Sequence, residues 1–99
     1  MKYLDKETYH QLETAFIREL DQLSTVVSSK DHEAISHYLA HAEIEMAFEI
    51  FVLSLMYTQV VLSAETCKAL KGIGLGLGLD LDSVFDPQFW LNFMAYCNL

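Results

Sequence analysis

The sequence contains few of the residues that interrupt or divide a chain. It has one proline, Pro87, and four glycines among 99 residues, and it shows no low-complexity segment, Ser/Gly-rich linker or internal repeat. Single domains commonly contain about 100–150 residues. Because 53% of the residues are hydrophobic, the chain has enough apolar material for a core of its own. We therefore predict one domain spanning residues 1–99.

Basic residues are also scarce. Six Lys and Arg residues stand against 14 Asp and Glu residues, which gives a net charge of -8 and an isoelectric point near 4.7. Such a surface repels nucleic-acid phosphates and anionic lipid headgroups, so we expect neither nucleic acid nor membrane as a partner. It should instead attract a basic protein and speed association with it. Acidity for solubility alone is an equally simple explanation of the composition.

The chain has two cysteines and no long hydrophobic run. Cys67 and Cys97 form no CxxC pattern and lie in apolar contexts, as buried free thiols usually do. Four of the six residues at 2–7 are charged, so the segment does not resemble the apolar core of a signal peptide. The apolar run at 50–62 contains Ser54, Thr58 and Gln59 and falls short of the ~20 residues of a membrane span. These features predict a cytoplasmic protein with reduced thiols.

Motifs that mark enzymes are missing from the sequence. It contains no GxSxG, HExxH, P-loop or dinucleotide fingerprint. The glycines between Gly72 and Gly78 alternate with Ile and Leu, and no Lys, Ser or Thr stands where it would reach a phosphate. We therefore predict no enzymatic activity, no catalytic residue and no cofactor.

Apolar residues recur at three- and four-residue steps through most of the chain, which predicts helices. The spacing and the start signals at Asp5, Ser29, Ser63 and Asp86-Pro87 place five of them. They cover about 5–26, 30–40, 43–58, 64–74 and the segment after 86. The helix at 43–58 is apolar around most of its circumference and should be central. The predicted fold is a compact all-α bundle of about five helices.

One ridge of polar residues has the spacing of a metal site. If one helix ran through Ala42, a single face would carry Glu33, His37, His41, Glu45 and Glu49. His37 and His41 would lie one turn apart, with Glu45 as a third ligand. A solvated ridge stabilised by pairs one turn apart explains the same spacing. We favour a break near Ala42, which rotates Glu45 away, and we predict no metal.

Acidic residues gather at three places that interaction proteins use. Carboxylates open the second and third helices, where the helix dipole also favours them. A loop before the last helix interleaves aspartates with apolar residues, which is typical of partner-binding loops and of Asp-rich turns alike. The residues predicted to bind a partner are Asp31, Glu33, Glu43, Glu45, Asp80, Leu81, Asp82, Phe85, Asp86 and Trp90.

A motif in the middle of the chain resembles small bacterial immunity proteins of contact-dependent growth inhibition and related polymorphic-toxin systems. The motif is Tyr38-Leu39 followed by HAEIEMAFE at 41–49. In many of those proteins a helix ends in a His-Gly-Glu turn, and the next helix carries Ala and Glu at the spacing of Ala47 and Glu49. The segments LSAE at 62–65 and LGLD at 77–80 are similar as well. The likeness covers about 35–80, and Ala42 stands where the family has its turn glycine.

The resemblance implies a fold and a role but no binding site. It implies a helical immunity protein that binds the C-terminal domain of a cognate bacterial toxin and neutralises it by occluding its active site. Many such toxins are nucleases with basic clefts, which suits an acidic partner. The alternative is an adaptor outside immunity that binds another basic protein.

Overall fold

The computed structural model describes residues 4–98, and in that range it contains five α-helices and no strand. They are α1 (Lys6–Gln22), α2 (Ser29–Ala40), α3 (Ile44–Thr58), α4 (Ala64–Gly76) and α5 (Phe89–Cys97). The helices pack into a compact globule with a Cα radius of gyration of 12.4 Å. The prediction of a compact all-α bundle is confirmed.

Helix α3 lies at the centre of the bundle and contacts α1, α2 and α5. Phe48, Phe51 and Leu55 on α3 are fully buried. The ring of Phe16 from α1 packs 5.5 Å from the rings of both Phe48 and Phe51. Full burial of each such side chain contributes about 1.5–3 kcal/mol, so this cluster is a main source of stability. No helix within residues 4–98 is long and apolar enough to cross a membrane.

Helices α1 and α4 run antiparallel. The side chain of Leu12 in α1 lies against Gly76 at the end of α4. Arg18 and Gln22, near the end of α1, line a shallow groove together with Glu65 at the start of α4. The start of α4 and its end therefore lie on opposite sides of the molecule, about 18 Å apart for a helix of this length.

Side-chain caps begin three of the helices. Asp5 and Ser63 each accept a hydrogen bond from the backbone N–H three residues later, at 2.7 Å and 3.1 Å, as their positions predict. The predicted cap at Ser29 is wrong, because Ser28 caps α2 and Ser29 is its first residue. A serine in either place has the same local signal, so the spacing alone did not separate them.

Two helix ends differ from their predicted positions. Helix α1 ends at Gln22 and is followed by a turn at 23–27, so the predicted continuation to about 26 is wrong. Glu19 is buried, although the helical spacing predicts it on an outer face. Helix α4 continues to Gly76, two residues past its predicted end. Its alternating glycines are mostly helical, because tertiary contacts offset their low helix propensity.

Helices α2 and α3 are separated by a tight turn at Ala42. The residue has a φ of 58°, in the left-handed region. The N–H of Glu43 donates to the Tyr38 carbonyl at 2.8 Å, and the N–H of Ala42 donates to the Leu39 carbonyl at 3.2 Å. These two bonds form a Schellman motif, which commonly ends a helix with glycine in the left-handed position. The predicted break near Ala42 is confirmed, and alanine adopts a glycine-like conformation there.

We expect Ala42→Gly to raise the free energy of unfolding by about 0.5–1 kcal/mol. Glycine removes the left-handed strain, and the greater entropy of the unfolded chain offsets only part of that gain. Urea unfolding followed by circular dichroism measures the change. Ala69→Gly is the matched control, because Ala69 lies within α4 and is exposed, so the same substitution should destabilise by up to about 1 kcal/mol. Destabilisation by both variants would contradict the strain assigned to Ala42.

Candidate partner-binding surface

A buried glutamate organises the loop between α4 and α5. Glu49 on α3 is fully buried, and its carboxylate accepts three backbone hydrogen bonds from that loop. Oε1 accepts from the N–H of Val84 at 2.7 Å, and Oε2 accepts from those of Phe85 and Asp86 at 2.9 Å each. A buried carboxylate is costly without such donors. The sequence pattern predicts Glu49 on a solvent-exposed ridge or among the surface acids that open α3. Both predictions are wrong, because the side chain is buried.

The same loop is held at both of its ends. At its start, Gly78 has a φ of 77°, and the N–H of the buried Leu79 donates to the Gly74 carbonyl at 3.0 Å. At its end, the Asp86 carboxylate accepts from the N–H of Gln88 at 2.9 Å. Asp86 was predicted to cap α5, but the N-cap position belongs to Gln88. Asp86 caps the turn just before the helix, and α5 begins at Phe89, two residues later than the Asp86-Pro87 signal predicts.

Two neighbouring grooves meet along this loop. One has a volume of about 330 Å³ and lies between the loop and α5, with Asp80, Leu81, Phe85 and Trp90 in its lining. The second, of about 410 Å³, lies between the loop and the start of α3. Asp82, Ser83 and Val84 line both grooves. The loop is therefore a ridge with a groove on each side, and the grooves and ridge form one surface.

We call this surface the loop face and define it by Glu43, Glu45, Asp80, Leu81, Asp82, Val84, Phe85 and Trp90. Leu81 is 88% exposed and Phe85 is 44% exposed, so large apolar side chains stand beside the carboxylates. The Phe85 ring also lies 6.0 Å from that of Tyr38 on α2. Phe85 therefore packs partly against α2, whereas Leu81 is open to solvent.

The structure brings together seven of the ten predicted partner-binding residues. They are the members of the loop face other than Val84. Asp86 is half-buried behind the face, where its carboxylate is used within the chain. Asp31 and Glu33 lie in the first turns of α2, about 10–14 Å along that helix from its end at the Ala42 turn. They line neither groove of the loop face.

Two contributors to the surface were missed from the sequence. Val84 and Met46 are not among the residues predicted to bind a partner, yet both line the groove beside Glu45. Their alternation with acidic residues is the one sequence signal that marks them. Tyr9 lies behind this region, where burial raises the pKa of its phenol and the nearby Glu13 and Glu45 add to the effect. Its hydroxyl is buried with no hydrogen-bond partner among the described residues.

The segments that form the loop face contain acidic residues and no Lys or Arg. Neither 31–67 nor 72–99 contains a Lys or Arg, and these two segments supply every residue of the face. The segments that form the face therefore contribute carboxylates and no Lys or Arg to it, and carboxylates can accept hydrogen bonds from the basic side chains of another protein.

Gly74 allows Trp90 to pack against α4. A Cβ atom at Gly74 would lie 2.5 Å from Cζ3 of Trp90 and 3.4 Å from Cε2 of Phe48. The Trp90 ring is also packed edge-on to Phe93, with ring centroids 5.5 Å apart, so it has little room to move away. The glycine therefore sets the position of the aromatic wall of the first groove.

We expect Gly74→Ala to lower the free energy of unfolding by about 1–3 kcal/mol, because overpacking outweighs the better helix propensity of alanine. Gly72→Ala is the control on the same helix. A Cβ at Gly72 would meet nothing within 4 Å, so that variant should gain up to about 1 kcal/mol. Thermal unfolding and Trp90 fluorescence would be recorded for both. Equal stabilisation by the two substitutions would show that the contact with Trp90 is unimportant.

The histidines of the predicted polar ridge lie close together beside the Ala42 turn. The rings of His37 and His41 are 4.4 Å apart, and Nδ1 of His41 is 2.8 Å from the His37 carbonyl oxygen. The break in the helix removes Glu45 from their line. Within residues 4–98, no group of three or more His, Cys, Asp or Glu side chains is arranged to hold a metal ion.

No family model matches the chain, and no curated protein or solved structure matches it either. A functional proposal therefore depends on the loop face, the charge distribution and the motif at 41–49.

Proposed function

We propose that this chain is an immunity protein of a contact-dependent inhibition or related polymorphic-toxin system. It binds the C-terminal domain of a cognate bacterial toxin in the cytoplasm and neutralises that domain by occluding its active site. The toxin domain is basic, and a nuclease fits best. The observation that carries the proposal is the loop face, where carboxylates surround exposed apolar side chains and Glu49 holds the loop in one conformation.

The chemistry of the loop face suits a nuclease cleft. A nuclease cleft presents Lys and Arg side chains to the phosphates of its substrate. Carboxylates such as Glu43, Glu45 and Asp82 can accept the hydrogen bonds that those phosphates would accept. Leu81 and Phe85 supply apolar area that a partner can desolvate, and such anchors usually dominate affinity. Charge then contributes mainly to the association rate and to selectivity.

Preorganisation of the loop supports tight binding. Loop ordering on association costs about 0.5–1.5 kcal/mol for each immobilised flexible side chain, and more when backbone must be ordered too. In this protein the three hydrogen bonds to Glu49 order the backbone at 84–86 before any partner arrives. The left-handed Ala42 is also compatible with the turn glycine of the family that the motif resembles.

A protection assay tests the proposal. The toxin-like C-terminal domain encoded next to this protein is induced in sensitive cells, and survivors are counted with and without the protein. Rescue together with co-purification of the two proteins would support immunity. Failure of a well-expressed protein to rescue cells from a demonstrably toxic neighbour would reject it in favour of an adaptor that binds another basic protein. A catalytically inactive toxin variant serves as the control for co-purification without killing.

A further inference from the structure

The two cysteines of the chain meet at the end of the molecule opposite the loop face. Cys67, in the first turns of α4, is buried, and Cys97, the last residue of α5, is half-buried. Both line one cleft of about 290 Å³, together with Val60, Val61 and Leu62. The two side chains are close enough that Cys67 contributes to the raised pKa of the Cys97 thiol. Nothing in their spacing along the sequence indicates this proximity.

The end of α5 is anchored beside this cleft by Tyr96. Its hydroxyl donates to the Val60 carbonyl, and it lies 3.3 Å from the Leu55 carbonyl oxygen at the end of α3. These contacts set the position of the neighbouring Cys97 relative to the core. Packing of α5 against the core therefore holds Cys97 beside Cys67.

We propose that Cys67 and Cys97 are an oxidation site, at which a small disulfide such as glutathione disulfide converts the two thiols into an intrachain disulfide. One protein thiol loses its proton and attacks a sulfur of glutathione disulfide, which forms a mixed disulfide and releases one glutathione thiolate. The second protein thiol loses its proton and attacks the protein sulfur of the mixed disulfide, which releases the second glutathione. The two cysteine sulfurs are oxidised, glutathione disulfide is reduced, and both protons pass to the released thiolates.

Burial decides the order and the pace of these steps. Cys67 is only 4% exposed, so the half-buried Cys97 is the thiol that glutathione disulfide can reach first. Burial raises the pKa of the Cys97 thiol to about 12, and the neighbouring Cys67 side chain adds to the effect. Since the thiolate is the nucleophile, the first step is slow at neutral pH. The pair therefore responds to sustained oxidising conditions and not to brief exposure.

The disulfide would enclose the part of the chain that carries most of the loop face. The ring from Cys67 to Cys97 contains nearly all of α4, the loop at 79–87 and α5. Closing a ring of this length restricts the unfolded chain and stabilises the fold that holds the two sulfurs together. Oxidation would therefore lock together the far ends of the two helices that flank the loop.

The decisive experiment uses the full chain, without any toxin, equilibrated with mixtures of reduced and oxidised glutathione. Trypsin digestion without reductant locates the bond, because cleavage after Lys30, Lys68 and Lys71 places Cys67 in fragment 31–68 and Cys97 in fragment 72–99. We expect the two fragments to be joined, and the intact protein to lose the mass of two hydrogen atoms. A lasting glutathione adduct on Cys97, a bond between two chains, or unchanged thiols would each overturn the proposal.

A second measurement tests whether the fold holds the pair together. The equilibrium constant for disulfide formation against glutathione is compared in the native protein and in urea. We expect it to be about a hundredfold larger in the native protein. The free energy by which the disulfide stabilises the fold must equal the free energy by which the fold favours disulfide formation. An equal or smaller constant in the native protein would refute the preorganised pair. Cys97→Ala is the control and should form no intrachain bond in either condition.

Discussion

Replacing Glu49 with alanine is expected to lower the free energy of unfolding by about 3–5 kcal/mol. The substitution removes the acceptor of three backbone hydrogen bonds and leaves the N–H groups of Val84, Phe85 and Asp86 without their partner. Hydrogen bonds to a charged acceptor contribute about 1.5–3 kcal/mol each, and water entering the new cavity recovers part of the loss. Urea unfolding monitored by circular dichroism gives the global change.

A local readout separates the hydrogen bonds of Glu49 from its packing. Amide hydrogen exchange at residues 84–86 should become much faster in Glu49→Gln, which keeps the shape of the side chain. The amide can accept with its oxygen, but its NH₂ group would face at least one loop N–H, so two donors would meet. Glu33→Gln is the matched control, because Glu33 is exposed on α2 and should change stability by less than about 0.5 kcal/mol. Unaltered exchange at 84–86 in Glu49→Gln would show that the loop does not depend on this carboxylate.

Reversing two charges on the loop face is expected to have the largest effect on partner binding. The double variant Asp80→Lys/Asp82→Lys should associate with the cognate toxin domain at least about tenfold more slowly at low salt. Its association rate should also depend less on salt, because fewer attractive charges remain to be screened. Stopped-flow or surface-plasmon measurements at several salt concentrations give both quantities. Dissociation should change less than association if the two aspartates lie at the rim of the interface.

A matched charge reversal separates local from global electrostatics. Asp21→Lys/Glu65→Lys changes the net charge by the same amount. Both residues are exposed, Asp21 near the end of α1 and Glu65 near the start of α4, on the side of the molecule away from the loop face. Its effect on association should be small in comparison. If the two double variants slowed association equally, net charge would be responsible and the loop face would lose its assignment. Unchanged kinetics in Asp80→Lys/Asp82→Lys would reject the site directly.

The helices were largely predictable because their signals are local. The caps at Asp5 and Ser63 act on backbone groups three residues away, and the apolar spacing of α3 identifies it as the central helix. The break at Ala42 was harder to place, since alanine carries no turn signal of its own. The end of α4 was placed too early because glycine has a low helix propensity, and packing against Leu12 and Trp90 outweighs that preference.

The candidate site was predictable in composition but not in arrangement. The acidic and apolar residues of the 80–90 segment stood out by their alternation. Their association with Glu43 and Glu45 depends on Glu49, whose hydrogen bonds reach 35 to 37 residues along the chain. A glutamate one turn after Glu45 on an acidic helix has nothing in the sequence to mark it as buried. Asp31 and Glu33 show the converse, since they have the right chemistry and lie away from the grooves.

By itself, the sequence determined the all-α class, most helix boundaries, the strongly acidic charge and the absence of Lys and Arg from 72–99. These properties depend on residue type and on neighbours within about one helical turn. Only the tertiary structure decided that Glu49 faces inward, that Gly74 receives Trp90 and that Cys67 meets Cys97. Each of those contacts joins residues at least 16 positions apart, and it exists only when the helices have packed against one another. Local propensity contains no information about such distances, because the packing of the whole core sets them.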